Sequence, residues 1–326
     1  MKVTRSNEYD GNLATNLCSY LTQLKDNSNI LFNQDHLLKH PLAIYNVSAN
    51  RFYKAYNEMI DIVDCQNKSD PIFSNFYLPT KEVFDSFSSH IDDIYHIFKC
   101  FFPASYVSKE TDFANTWLDR ATKTNDQCRE AVKEFDNNIS FCSINRKINN
   151  KLKHKHGRIH EITVKTVFGK SVGFFIEAVD LTGAILPDEE FHKKHYNDST
   201  AYSYNWLLLE MLTQFYFVDN YAARALKKII YGLHSNNIPL EKVIIEKNEI
   251  LDTYKKLDRT LSNTLFPDEY TAGIPQVLFD GDTLILKKPA DRSYLKRFVT
   301  GSKYQVELIL HPDGVSKQYV LPYWHS

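Results

Sequence analysis

Glycine and cysteine are both scarce in this chain of 326 residues, ten of the first and five of the second. So little glycine argues against a loop-rich sandwich and for packed helices with a few compact sheets. Cys18, Cys65, Cys100, Cys128 and Cys142 are odd in number, widely spaced and without a Cys-x-x-Cys pair. That spacing suits neither a disulfide framework nor a zinc ribbon, and implies buried, reduced thiols in a cytoplasmic protein. Net charge is nearly absent at −1, so attraction to nucleic acid or membrane has to be local. Long apolar runs are missing too. The most apolar stretch, 206–218, contains Glu210, Thr213 and Gln214 and falls short of the ~20 residues that span a bilayer. The polar start, 1–10, and an interrupted 13–24 imply no signal peptide, and the expectation is a protein without a membrane partner. No phosphate loop, dinucleotide fingerprint or nucleophile elbow occurs, so nucleotide-dependent chemistry is not expected and no cofactor is implied.

What is present is a high aromatic share, twenty Tyr and twenty-one Phe, and ordinary globular hydrophobicity at 43%. Apolar residues at helical spacing predict helices over 8–25, 47–63, 81–102, 109–121, 126–136 and 138–155. Thr80 reads as the cap of the third, and Pro103 as its end. After Gly157 the period changes to two. Hairpins are expected at 158–179 about Gly169-Lys170, at 276–287 about Asp280-Gly281, and at 303–321 about Pro312-Asp313-Gly314. Between them, 181–200 reads as a polar loop, 201–231 as a long helix apolar on most sides, and 240–261 as another helix. The order implies an α+β fold: a helical domain over 1–155, then a mixed α+β domain over 156–326. A single unit with an internal division near Gly157 is the alternative, because the stretch there is no linker.

One segment concentrates positive charge. Arg146, Lys147, Lys151, Lys153, Lys155 and Arg158 fall within thirteen residues that contain no Asp or Glu. On the helix at 138–155, Phe141, Ile144, Ile148 and Leu152 form the expected apolar stripe. At about 100° per residue, Arg146, Asn150 and His154 stack at i, i+4 and i+8 almost opposite it. A solvated polar face is the plain interpretation. The functional one gives Arg146 a phosphate to neutralise, His154 a proton to move and Asn150 an orienting role, with Lys147, Lys151, Lys153, Lys155 and Arg158 meeting nucleic acid.

This Arg/Asn/His face late in a helical half resembles that of the HEPN superfamily. Those are helical bundles, many of them dimeric, that include metal-independent ribonucleases of toxin and phage-defence systems. The family sets an Arg and a His four to six residues apart, often with Asn after the Arg. Here seven residues lie between Arg146 and His154, and Lys147 follows the Arg. The resemblance covers residues 80–156. It implies a helical domain of this sort, and the first hypothesis for function is a toxin-like endoribonuclease of a bacterial antiviral defence system, a homodimer acting on RNA.

Two alternatives stand beside it. The same basic face could serve a non-catalytic nucleic-acid or protein interaction module. His154, His156, His160, His192 and His195, with Glu189, Glu190 and Asp198, could instead build a metal-dependent hydrolase. Lysines beside those histidines oppose a cation, so no metal ligand is assigned. Basic and aromatic residues also interleave from Lys287 through Arg292, Tyr294, Arg297 and Phe298 to Tyr304. That pattern suits single-strand stacking or, more plainly, charged edge strands.

Overall fold

A computed structural model describes residues 8–12, 14–68, 75–103, 125–154, 157–166, 169–179, 185–192, 194–195, 198–199, 201–235, 276–280, 283–287, 302–307 and 318–323, with scattered residues between 252 and 269. The fold is α+β. Its centre is helix α6 (Tyr204–His234), and α1 (Asn16–Leu24), α2 (Pro41–Lys68), α3 (Tyr77–Lys99) and α4 (Asp126–Asn138) pack against it. Because α6 is apolar on nearly every side, it can be wrapped by helices without leaving an exposed stripe. Phe52 of α2 stacks on Phe215 of α6 at 4.4 Å between ring centroids, and Phe76 on Tyr204 at 4.3 Å. Buried residues on both sides of position 155 share this core.

The start of α6 shows how a helix end is satisfied inside a protein. Ser203 caps it by accepting the Trp206 N–H, and the buried Glu269 carboxylate accepts from the Ser203 N–H and hydroxyl and from the Phe266 N–H. Helix α5 (Ser143–His154) lies on α3.

The sheets are antiparallel. The larger one runs β11-β10-β2-β3-β4, with β7 also paired to β3. Its members are β2 (Ile159–Thr166), β3 (Gly169–Val179), β4 (Ile185–Pro187), β7 (Tyr202–Ser203), β10 (Ser302–Glu307) and β11 (Gln318–Tyr323). A smaller sheet sets β1 (Glu8–Asn12) beside the hairpin β8 (Gln276–Asp280) and β9 (Thr283–Lys287), and β5 (Lys194–His195) pairs with β6 (Asp198–Ser199). All three expected hairpins pair as strands, with two turns displaced by a residue or more. Thr166 faces Gly169 and Asp280 faces Thr283, so Gly169, Lys170 and Asp280 belong to strands. The residues between the paired ends are 167–168 and 281–282.

Several local expectations are corrected. Residues 8–12 form a strand rather than helix, because they dock on β9, and the helix starts only after the Thr15 cap. Helix α2 starts at Pro41, which has no N–H to lose in the first turn, and not at 47. Helix α3 starts at Tyr77 rather than 81. Thr80 therefore lies inside it, and its hydroxyl donates to the Phe76 carbonyl instead of capping. The Phe76 N–H goes to Glu161 of β2. The helix expected over 138–155 is a 3₁₀ turn, Ser140–Cys142, followed by α5. The loop at 181–200 carries β4, β5 and β6 and buries Phe191 and His192. The helix at 109–121 lies outside the described residues, as does most of 240–261, where Thr253, Leu257 and Thr260 are buried. Among the described residues no helix is long and apolar enough to cross a membrane.

Candidate functional site

Helix α5 presents its basic residues in an arrangement the sequence does not disclose. Its buried face is Asn145, Ile148, Asn149 and Leu152, while Ile144 is 46% exposed. The inner face is thus turned toward two asparagines. Asn145 donates to Gln214 of α6 at 2.7 Å and Asn149 reaches Asp85 of α3, partners that make burying an amide tolerable.

The cations flank that face, and carboxylates meet them on both sides. Toward α3, Arg146 pairs with Asp92 at 3.1 Å and Lys153 with Asp85. Toward the segment after β4, Lys147 pairs with Glu190 at 2.8 Å and Lys151 with Asp188, its ammonium also lying 5.7 Å from the Phe191 ring centroid. The Asp92 side chain is 55% exposed, yet partial desolvation pushes its carboxyl above the ordinary value, with Arg146 opposing. Burial acts the same way on Asp188, but Lys151 and the Glu190 N–H outweigh it and hold the carboxyl below the ordinary range. Two rows of ion pairs therefore clamp α5, and four of the six cations counted over 146–158 are locally neutralised.

Asn150 and His154 lie on the outermost row, exposed, and Arg146 is part-exposed on the α3 flank. Asn150 and His154 thus face the open side of the helix, with Arg146 at its α3 edge. Eight helical steps set the Cα atoms of Arg146 and His154 about 12 Å apart. Arg158 is exposed beyond the helix end, and Lys155 lies outside the described residues.

The described histidines do not converge. His192 is fully buried and its Nε2 accepts the Ile176 N–H at 2.7 Å, which occupies the lone pair a metal would need. His160 is bonded to Glu177 and stacks on Phe175, while His154 stands at the surface of α5. His156 and the side chain of His195 are not described. Among the described residues no group of three His, Cys, Asp or Glu is placed to hold a metal ion. Of the basic-aromatic stretch near the end, Lys287 closes β9 and Lys303 and Tyr304 lie in β10, with 288–301 outside the description.

A second polar constellation has no local signature in the sequence. Ser48 lies 2.8 Å from His90 Nδ1, and His90 Nε2 lies 2.8 Å from Asp219 Oδ1. Tyr45 donates to Asp219 Oδ2 at 2.9 Å, and Thr15 meets the Tyr45 hydroxyl at 2.8 Å. Every donor can point inward: Thr15 to Tyr45, Tyr45 to Asp219, His90 to Asp219 and, with the ring neutral, Ser48 to His90. Burial, then the Asp219 charge, pushes the Tyr45 phenol well up. Serine, histidine and aspartate are the types of a hydrolytic relay, yet Ser48 is 1% exposed and His90 and Asp219 not at all. No substrate reaches that hydroxyl, and the network ties α1, α2, α3 and α6 together. Its members come from four helices, so no local motif could announce it.

No known protein family, curated protein or solved structure matches this chain.

Proposed function

We propose that the open side of α5 is the working face and that the protein is a metal-independent ribonuclease acting through Arg146, Asn150 and His154. The observation that carries this is the division of labour along the helix. Its lysines are held by carboxylates, while Asn150 and His154 stay on the outermost row. Clamped on both flanks, the row is held rigid, which is what a preorganised site requires. An RNA 2′-hydroxyl attacks its neighbouring phosphorus and the bond to O5′ breaks. Arg146 leaves its exposed partner Asp92 to neutralise the phosphate, and His154 gives a proton to the departing O5′. Water takes the proton of the attacking hydroxyl. An exposed ion pair is worth only about 0–1 kcal/mol, so exchanging Asp92 for phosphate costs little. On this account the protein is a toxin-like antiviral effector of the HEPN kind, with RNA as its partner and a homodimer as its working form.

A second reading has one observation in its favour. Pairing of Lys147, Lys151 and Lys153 with acids weakens the field that would draw in a polyanion, which suits a non-catalytic interaction module. Incubating the purified protein with single-stranded RNA in excess chelator separates the two. Cleavage to 2′,3′-cyclic phosphate ends supports the ribonuclease, and intact RNA supports the module.

A further inference from the structure

The antiparallel pair α4 and α6 borders a groove of about 740 Å³. The direction follows from Asn125 bonding the Gly232 carbonyl while Glu134 pairs with Lys228. One wall is basic: Arg224 and Lys227 line it from α6, and Tyr231 follows at its far end, 49% exposed. The other wall, from α4, carries Gln127, Glu130 and Glu134. Glu134 is spent on Lys228, whereas Arg224 and Lys227 meet no carboxylate among the described residues. Arg224 instead lies 5.9 Å from the Tyr221 ring centroid.

The groove is thus polarised along its length. At one end stand two cations that meet no carboxylate among the described residues, and their charge matches a phosphomonoester dianion. Seven residues along, or about 10 Å of helix, an exposed phenol ring offers a stacking face. The antiparallel order sets Gln127 near that ring, with an amide that both donates and accepts. The volume falls in the range of about 300–1,000 Å³ usual for small-molecule sites. We infer that this groove binds a phosphomonoester carrying a planar ring, of which a nucleoside monophosphate is the simplest case. Phosphate sits on Arg224 and Lys227, the ring lies on Tyr231, and Gln127 and Glu130 meet its polar edge. A helix-walled site of this kind needs no phosphate loop, and it binds without performing chemistry.

Titration calorimetry of the full chain with adenosine monophosphate, and separately with inorganic phosphate, tests this. The nucleotide should bind at least about tenfold more tightly than phosphate. Arg224→Ala with Lys227→Ala should weaken the nucleotide about tenfold or more. Tyr231→Ala should bring the nucleotide down to the level of phosphate. These side chains are surface groups, so melting temperature should hold in the variants, and any loss of binding then reads as loss of contact. An absence of nucleotide binding at millimolar concentration overturns the inference. So does binding that survives the Arg224/Lys227 change, or that is lost instead in Arg146→Ala, which would place the ligand on α5.

Discussion

His90 Nε2 lies 2.8 Å from Asp219 Oδ1, and neither side chain has any exposure to solvent. A carboxylate this deep is tolerable because Tyr45 donates to its second oxygen and Ser48 completes the imidazole. Removing it strands both donors. Asp219→Ala should therefore cost about 3–5 kcal/mol, whereas Asp219→Asn, which can still accept one hydrogen bond, should cost clearly less. Urea denaturation of the two variants checks the order. Equal losses would mean the donors find other partners.

Gly173 is where β3 is most crowded. A Cβ there would run into the Tyr202 carbonyl oxygen and come within 2.6 Å of the Phe266 ring. The carbonyl cannot retreat easily, because Gly173 pairs with Ser203 and Phe174 with Tyr202 in the sheet. Gly173→Ala should destabilise by about 1–3 kcal/mol, as overpacking does. The readout is the denaturation midpoint, and an unchanged value would remove the close approach of β7 to β3.

Asp188 gives the fold a pH dependence. Its folded carboxyl titrates below the ordinary value near 3.8 because Lys151 and the Glu190 N–H outweigh burial. The unfolded chain therefore takes up this proton first as acid is added. The stabilisation is fully present above the unfolded value, roughly pH 4, and is lost as pH falls through the lower folded value. Asp188→Asn should be less stable than wild type at pH 7, with the gap closing toward pH 3. A gap that stays constant with pH would contradict the assignment.

Leu37 combines two costs: a left-handed backbone at φ 55 and a side chain 93% exposed. Leu37→Gly relieves the strain while loosening the unfolded chain, for a net gain of up to ~1 kcal/mol. A rise of about 1–2 °C in melting temperature is expected. A fall would show that the leucine makes a contact worth more than its strain.

These residues also show what a sequence discloses. Helices α3 and α6 were legible because Phe84, Phe87, Ile91 and Ile94, or the run about Leu207 to Val218, bury faces set by local period alone. Strand β1 was not, since 8–12 carries no alternation of its own and becomes a strand by pairing with β9 more than 270 residues later. The same limit governs the candidate site. The shared row of Arg146, Asn150 and His154 follows from helical geometry within nine residues. The ion pairs that neutralise its neighbours come from Asp85, Asp92, Asp188 and Glu190, tens of residues away. Asn145 and Asn149 look like surface residues until Gln214 and Asp85 are in place. Charge counted along a chain measures a patch only when its partners are known.

The central claim is that the exposed row of α5 cleaves RNA, and cleavage rates of three variants set against their melting temperatures test it most directly. His154→Ala removes an exposed side chain, so stability should stay within about ±0.5 kcal/mol of wild type while the rate falls ~10²–10⁴-fold. Arg146→Ala, which gives up only the exposed pair with Asp92, should behave alike. Leu152→Ala is the contrast: its side chain is 4% exposed, and losing it should cost about 2–5 kcal/mol and reduce cleavage only as far as it unfolds the protein. If His154→Ala and Arg146→Ala remain folded and cleave as fast as wild type, the row is not catalytic and the ribonuclease account fails.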